Sequence, residues 1–468
     1  MIPLSRPVGI VVASTVVLTL AAMAGIHWVI TIVALAALAV LALMRPSISV
    51  AAVVLSIPVQ SEVMLPFVRG EITVTQLTLS GLIIGWGILF WSRRIWLDSV
   101  VVGFVLVIAA YVVSFIAVDS PGLWFQETYR WLVAGIFYII CRSVLTEWHS
   151  VRLVIWAMLA GVVGVSLMSA SQLIVDGASR VSASFGTPNT LAAYLEFTIP
   201  VLMACIPILW FGDNDWQDYW FEKWAVVLVS IGGLIVLALT QSRGGYVGIL
   251  VSCVVIWLHL PMKAKVPIAG VAVLAIGGFL YTDIGQSQFS RFMDFRDDIV
   301  DQQTTQVGAG RGAIWATAGE MIADNPLTGV GAGEFDEHYR EYVTSWFDRE
   351  ERGQAHNVWL HMGAQAGIWG ILGYSIWFFA SIWSIITARR RVESRSRWWL
   401  VTGVLAVFAA YAVHSLVDYL NVLSLGLQLS VLTAIALNLA PAPLTRYAPS
   451  AAPDRLVVSP EVAAACPQ

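Results

Sequence analysis

Residues 266–282 read VPIAGVAVLAIGGFLYT, and residues 283–301, directly after them, read DIGQSQFSRFMDFRDDIVD. The first string is an apolar run close to the ~20 residues that an α-helix needs to cross a bilayer. The second is charged and broken by glycine, which hydrocarbon does not tolerate. The polar stretch continues to His356 and holds 14 of the chain's 30 acidic residues. It ends on Ala355-His356-Asn357, where hydrophobic sequence resumes. The chain is therefore read outward from one long polar loop flanked by apolar spans.

Composition agrees. The chain has 468 residues, of which 58% are hydrophobic and 12% charged. Its mean hydropathy is +0.78. Soluble domains carry about 25% charge. A β-barrel would show short alternating segments instead. The net charge of -4 gives nothing for nucleic acid to bind. Cys141, Cys205, Cys253 and Cys466 are scattered without CxxC spacing, so neither disulfides nor a zinc site is expected. Arg6 followed by span after span reads as a signal anchor rather than a cleaved peptide.

Apolar segments lie at 7–25, 27–44, 48–66, 74–92, 99–118, 124–141, 151–173, 190–211, 223–240, 243–260, 266–282, 357–387, 398–417 and 421–440. Pro58 and Pro66 interrupt the third, and Arg130 lies in the sixth. The expected fold is all-α, a polytopic transmembrane bundle of about 12–14 spans. Residues 1–282 supply about 11 of these and residues 357–440 about 3. Residues 283–356 form a loop with short helices, and residues 441–468 a Pro/Ala-rich disordered cytoplasmic tail. No internal repeat stands out.

Lysine and arginine set the orientation. With the N-terminus inside, the cytoplasmic side receives Arg6, Arg45, Arg93, Arg94, Arg142, Arg152, Lys223, Lys263, Lys265 and Arg389 to Arg391, among others. The short outer connections receive only Arg69, Arg130, Arg180 and Arg243. The long loop then faces away from the cytoplasm. Within it, residues 313–323 predict a helix stopped by Asn325-Pro326. Residues 334–347 predict an amphipathic helix with Phe335, Tyr339, Tyr342 and Trp346 on one face, lying on the membrane or capping a site.

Four outer basic positions are candidates for chemistry. Arg180 precedes VSASFGTPN, Arg243 sits in QSRGG, Arg311 in GRG, and His356 ends the loop. Arginine's planar fork suits phosphate oxygens, and a helix start adds aligned N–H groups. The competing reading is interfacial snorkelling or pairing with the loop's acids. An imidazole titrates near pH 6.5, which suits taking a proton from a hydroxyl, though a lone histidine at a span end is often structural. His361 lies one turn beyond. His414 and Asp418 share an i,i+4 spacing, so Asp418 can orient a histidine, balance the arginines or cap a helix. His338 falls on a helix read as solvated. Asp297, Asp298 and Asp301 spell DDxxD, which can hold a hard cation but matches easily by chance in an acidic loop. The glycines at 329, 331 and 333 lack a following Lys-Ser/Thr, so they are no P-loop.

These pieces resemble the O-antigen ligase and O-antigen polymerase superfamily of bacterial membrane glycosyltransferases. The resemblance rests on FGTPN (185–189), TQSRGG (240–245), Gly310-Arg311 with Trp315, NPLTGVG (325–331), His356-Asn357 with Gly367 and Gly370, and HSLVD (414–418). It implies a metal-independent, inverting GT-C-type enzyme without a cofactor, in the cytoplasmic membrane with its site on the outer face. Such an enzyme moves a glycan from undecaprenyl diphosphate to a hydroxyl of a glycan or lipid acceptor, amid membrane lipid and envelope-assembly proteins. It further implies that His356 is the base, that Arg243, Arg311 and Arg180 hold the diphosphate, and that Asp418 and His414 support them. Ligase, polymerase and protein O-glycosylating transferases of this superfamily differ in acceptor, and acceptor choice is not legible in these residues. The competing class is a transporter or flippase, which would show paired broken helices and midplane charges; a third is a non-catalytic scaffold of an envelope-assembly machine.

Overall fold

A computed structural model describes residues 28–59, 62–64, 71–88, 97–211, 220–293, 311–342, 353–422 and 424–441. In chain order the elements are α1 (Trp28–Met44), α2 (Pro46–Ser56), β1 (Glu62–Met64), β2 (Glu71–Thr73), α3 (Val74–Ile88), α4 (Ser99–Ser114) and α5 (Pro121–Val144). They continue with α6 (Trp148–Ile174), α7 (Pro188–Phe211), α8 (Trp220–Thr240), α9 (Arg243–His259), α10 (Met262–Leu280) and α11 (Asp283–Met293). The loop contributes α12 (Arg311–Asp324) and α13 (Phe335–Tyr342). The chain closes with α14 (Val358–Arg391), α15 (Arg395–His414) and α16 (Leu425–Leu439).

Each apolar segment expected from 27 to 440 contains a helix, though the helix in 48–66 covers only its first part, and the first segment, 7–25, lies outside the described residues. Helices are the economical answer in lipid because they satisfy their own backbone. Six are long and apolar enough to cross a membrane: α4 with its extension to Ala117, α6, α7, α8, α14 and α15. The expected span 48–66 is a correction. Its helix stops at Ser56, and Glu62–Met64 pairs antiparallel with Glu71–Thr73, Val63 opposite Ile72. Pro58 has no N–H to continue the helix.

Polar side chains fix where several helices start. Asp98 accepts from the N–H groups of Val100 and Val101 at α4, Ser242 from Gly245 at α9, and Asn357 from Leu360 at α14. Each satisfies donors that a first turn leaves without partners.

The bundle's centre is α7, buried over 89% of its most apolar stretch, against 33% for α8. α15 packs on α7 and α9, α14 runs along α4, and α16 lies on α5. On α8, Leu228, Ile231 and Ile235 stay exposed at helical spacing, an apolar stripe suited to lipid.

The loop is anchored by a break in α14. Gly367 has φ +60, and a Cβ there would meet Pro326 O at 2.6 Å. The Asn325–Gly331 turn fits into that gap. Val330 donates to Ala364 O at 2.8 Å, and Ile368 donates to Pro326 O at 2.8 Å. The expected helix at 313–323 is α12, ending before Asn325-Pro326. The described part of the expected amphipathic helix is α13. Its Phe335 and Tyr339 pack inward on Ile314, Met321 and Ala364, while Trp346 lies outside the described residues.

Candidate active site

The start of α14 is stitched to the turn that follows α15. Val358 donates to Ser415 O at 3.0 Å, and Asn357 Nδ2 donates to Leu416 O at 2.9 Å. Between these ties sits His356, with φ +48. A non-glycine residue in the left-handed region is strained and persists only where its surroundings hold it. Two groups do so here. Trp315 Nε1, one turn along α12 from Arg311, donates to His356 O at 3.4 Å. The neighbouring Ala355 N–H donates to the buried His361 Nδ1 at 3.3 Å.

The His356 side chain, 26% exposed, places Nδ1 2.8 Å from Asp418 Oδ1. Asp418 itself is 2% exposed. Its carboxylate also accepts from Asn189 Nδ2 at 3.1 Å, Gln354 Nε2 at 3.4 Å and its neighbour's Tyr419 N–H at 2.9 Å. Burial alone would raise its pKa. The bond to His356 and the charges of His356, His414 and Arg311 outweigh that and hold it below the usual aspartate value. An ionised Asp418 fixes the imidazole with hydrogen on Nδ1.

A second pair lies beneath. His414 Nδ1 is 2.7 Å from Glu196 Oε2, and both residues are buried. α9 rests directly on this pair. A Cβ on Gly244 would lie 2.4 Å from the His414 ring, and one on Gly248 would lie 2.4 Å from the Glu196 carboxylate. Only glycine leaves the room, so the sequence after Arg243 reads Gly-Gly and repeats a glycine at 248.

The arginines start helices around these pairs. Arg243 is the first residue of α9, beside the glycine on His414, and Arg311 is the first of α12. Arg180 lies in the α6–α7 connection, where its Nε donates to Thr240 O at 3.0 Å, three residues before Arg243. Gln241 Nε2 donates to Ser179 O at 2.9 Å in the same place. Ala183 and Gln241 also have positive φ, so the non-glycine strain among the described residues falls in connections at this one end.

The structure thus brings His356, Asp418, His414, Arg311, Arg243 and Arg180 to one end of the bundle. Two of the groups bonded to them, Glu196 and Gln354, do not stand out as candidates in the sequence, and Asn189 enters there only as the end of FGTPN. Glu196 had a readable signal, being the sole charged residue in α7. His338 is a correction. Its polar helix implies a solvated side chain, yet that side chain is 18% exposed and lies among Asp119, Glu334 and Glu341. Asp297, Asp298 and Asp301 lie outside the described residues.

A family model described as O-antigen ligase matches residues 224–375. The match bears out the resemblance to that superfamily over residues 224–375, a stretch in which Arg243, Arg311 and His356 lie. Arg180, Glu196, His414 and Asp418 lie outside it. No curated protein matches the chain.

Proposed function

From the premise of an all-α membrane protein carrying an O-antigen ligase region, we propose that the chain transfers a glycan from a polyprenyl diphosphate to an acceptor hydroxyl. The site opens on the extracytoplasmic face of the cytoplasmic membrane. The opposite end of the bundle holds Arg142, Arg152 and Arg389 to Arg391, which favours that end as cytoplasmic.

The acceptor oxygen attacks C1 of the sugar from the side away from the diphosphate. With Nδ1 bonded to Asp418, His356 takes the hydroxyl proton on Nε2. The C1–O bond to the diphosphate breaks, the configuration at C1 inverts, and polyprenyl diphosphate leaves with one more negative charge. Asp418 stabilises the imidazolium that forms, as a buried carboxylate does for a histidine base. Arg243 and Arg311, each at a helix start, meet the growing negative charge with guanidinium and backbone N–H groups together. Arg180, fastened beside Arg243, adds a third cation. The glycosyl diphosphate supplies its own leaving group, so positioning and charge complementarity are the tasks left to the protein.

The observation that carries this reading is the His356–Asp418 pair lying among arginine-led helix starts. The transporter reading finds less support, because the distinctive charges gather at one end and not at mid-bundle. Transfer in vitro from a polyprenyl-diphosphate oligosaccharide tests it. His356→Ala and Arg311→Ala insert normally but lose transfer, and EDTA does not lower the wild-type transfer rate. Wild-type turnover by His356→Ala would remove the base.

A further inference from the structure

We propose that Asp119, Glu334 and His338 bind one divalent ion of the zinc class, which fastens the long loop to the turn between α4 and α5. One candidate ligand atom from each residue lies within 4.8 Å of the others. His338 Nε2 is 3.5 Å from Glu334 Oε2 and 3.8 Å from Asp119 Oδ2. A tetrahedral ion with bonds of about 2.0–2.2 Å holds its ligands roughly 3.3–3.6 Å apart.

The orphaned atoms point the same way. Glu334 is wholly buried, and its Oε2 has no hydrogen-bond partner; nor has Nε2 of His338. A buried carboxylate oxygen 3.5 Å from a buried ring nitrogen makes at best a long ion pair and no well-formed hydrogen bond, which is costly unless something sits between. Glu334 is held in that pose, because its Oε1 accepts the N–H of Ser120. His338 is held too. With Nδ1–H donating to Glu341 Oε2 at 3.0 Å, the ring's lone pair is left on Nε2. A carboxylate behind a ligating imidazole is the usual partner of a metal-bound histidine. Asp119, with a side chain 80% exposed, closes on the ion from the solvent side, and water fills the fourth position.

One imidazole with two carboxylates suits zinc better than magnesium or calcium, which favour all-oxygen sites. Spacing along the chain does not reveal this set, because Asp119 lies more than two hundred residues before Glu334 and His338. The ion takes no part in transfer and the proposal does not depend on that chemistry. It steadies a support: Phe335, next to Glu334, has its ring 5.4 Å from His361, which holds the N–H of Ala355 beside His356.

The test uses the full chain in detergent, purified without a polyhistidine tag and carrying Cys466→Ser. Metal analysis after dialysis against zinc gives one ion per chain. Zinc raises the thermal midpoint, and magnesium at equal concentration does not. Asp119→Asn and His338→Ala lose the ion and the rise, and Glu341→Gln weakens binding by about 10–100-fold. Because Asp119 is exposed, its variant reports on the site even where His338→Ala fails to fold. Zinc retained equally by Asp119→Asn and wild type, or a midpoint indifferent to zinc, overturns the assignment.

Discussion

His356 Nδ1 lies 2.8 Å from Asp418 Oδ1, across 62 residues of sequence. The bond sets which nitrogen of the imidazole faces the outside. Asp418→Asn keeps the shape and removes the charge, and the amide can offer its NH₂ to Nδ1 and stabilise the wrong tautomer. Transfer then falls by about 10²–10⁴-fold, the usual worth of a positioned base. The chain still inserts, and acceptor affinity changes little. Steady-state kinetics check this; an Asp418→Asn enzyme within a few-fold of wild type would leave His356 without its partner.

Asp418 also makes stability depend on pH. Its folded pKa is depressed, so its contribution is present above the unfolded value of about 3.9 and fades as pH falls through the folded one. The unfolded chain takes up the proton first, which is the sign required for loss on acidification. Wild type and Asp418→Asn therefore differ most in thermal midpoint near neutral pH, and the gap closes below about pH 4. A gap that widens on acidification would contradict an ionised Asp418.

The Glu196–His414 pair is fully enclosed, so deleting one partner leaves a buried polar group alone. Glu196→Ala and His414→Ala each cost about 3–5 kcal/mol of stability, and the double variant costs clearly less than their sum. A double-mutant cycle of denaturant unfolding in detergent measures the coupling. Because Gly244 rests on His414, either single change also unseats the start of α9 and raises KM for the donor. Additive losses would show that the two side chains act separately.

Local chemistry made much of this legible. Asn325-Pro326 ends α12, and the apolar segments beginning at 243 and 357 coincide with the starts of α9 and α14. What spacing could not reveal is which carboxylate meets which imidazole. The i,i+4 spacing of His414 and Asp418 suggests a shared face, but α15 ends at His414 and the chain then turns. Asp418 is thereby carried to His356, and His414 turns to Glu196 on a different helix. His338 misled for the same reason. Its helix is polar by sequence, while the groups around it include Asp119, more than two hundred residues earlier. The break after Ser56 was marked by Pro58, yet hydropathy alone ran through it.

The arginines separate charge from geometry. Lysine keeps the positive charge but loses the planar fork that grips two phosphate oxygens at once. Charged hydrogen bonds are worth about 1.5–3 kcal/mol each, or roughly 10–100-fold in binding. Arg243→Lys and Arg311→Lys should therefore raise KM for the polyprenyl-diphosphate donor by about 10-fold or more while keeping measurable kcat. The alanine variants should lose kcat as well, because the departing diphosphate gains charge in the transition state. Arg180 gives a graded control. Its Nε is already bonded to Thr240 O, so Arg180→Lys loosens the 179–183 connection and acts mainly on KM. Donor-concentration series on these variants measure both constants. If alanine at Arg243 or Arg311 altered only acceptor kinetics, the diphosphate would have to sit elsewhere, and the two helix starts would need a different anion.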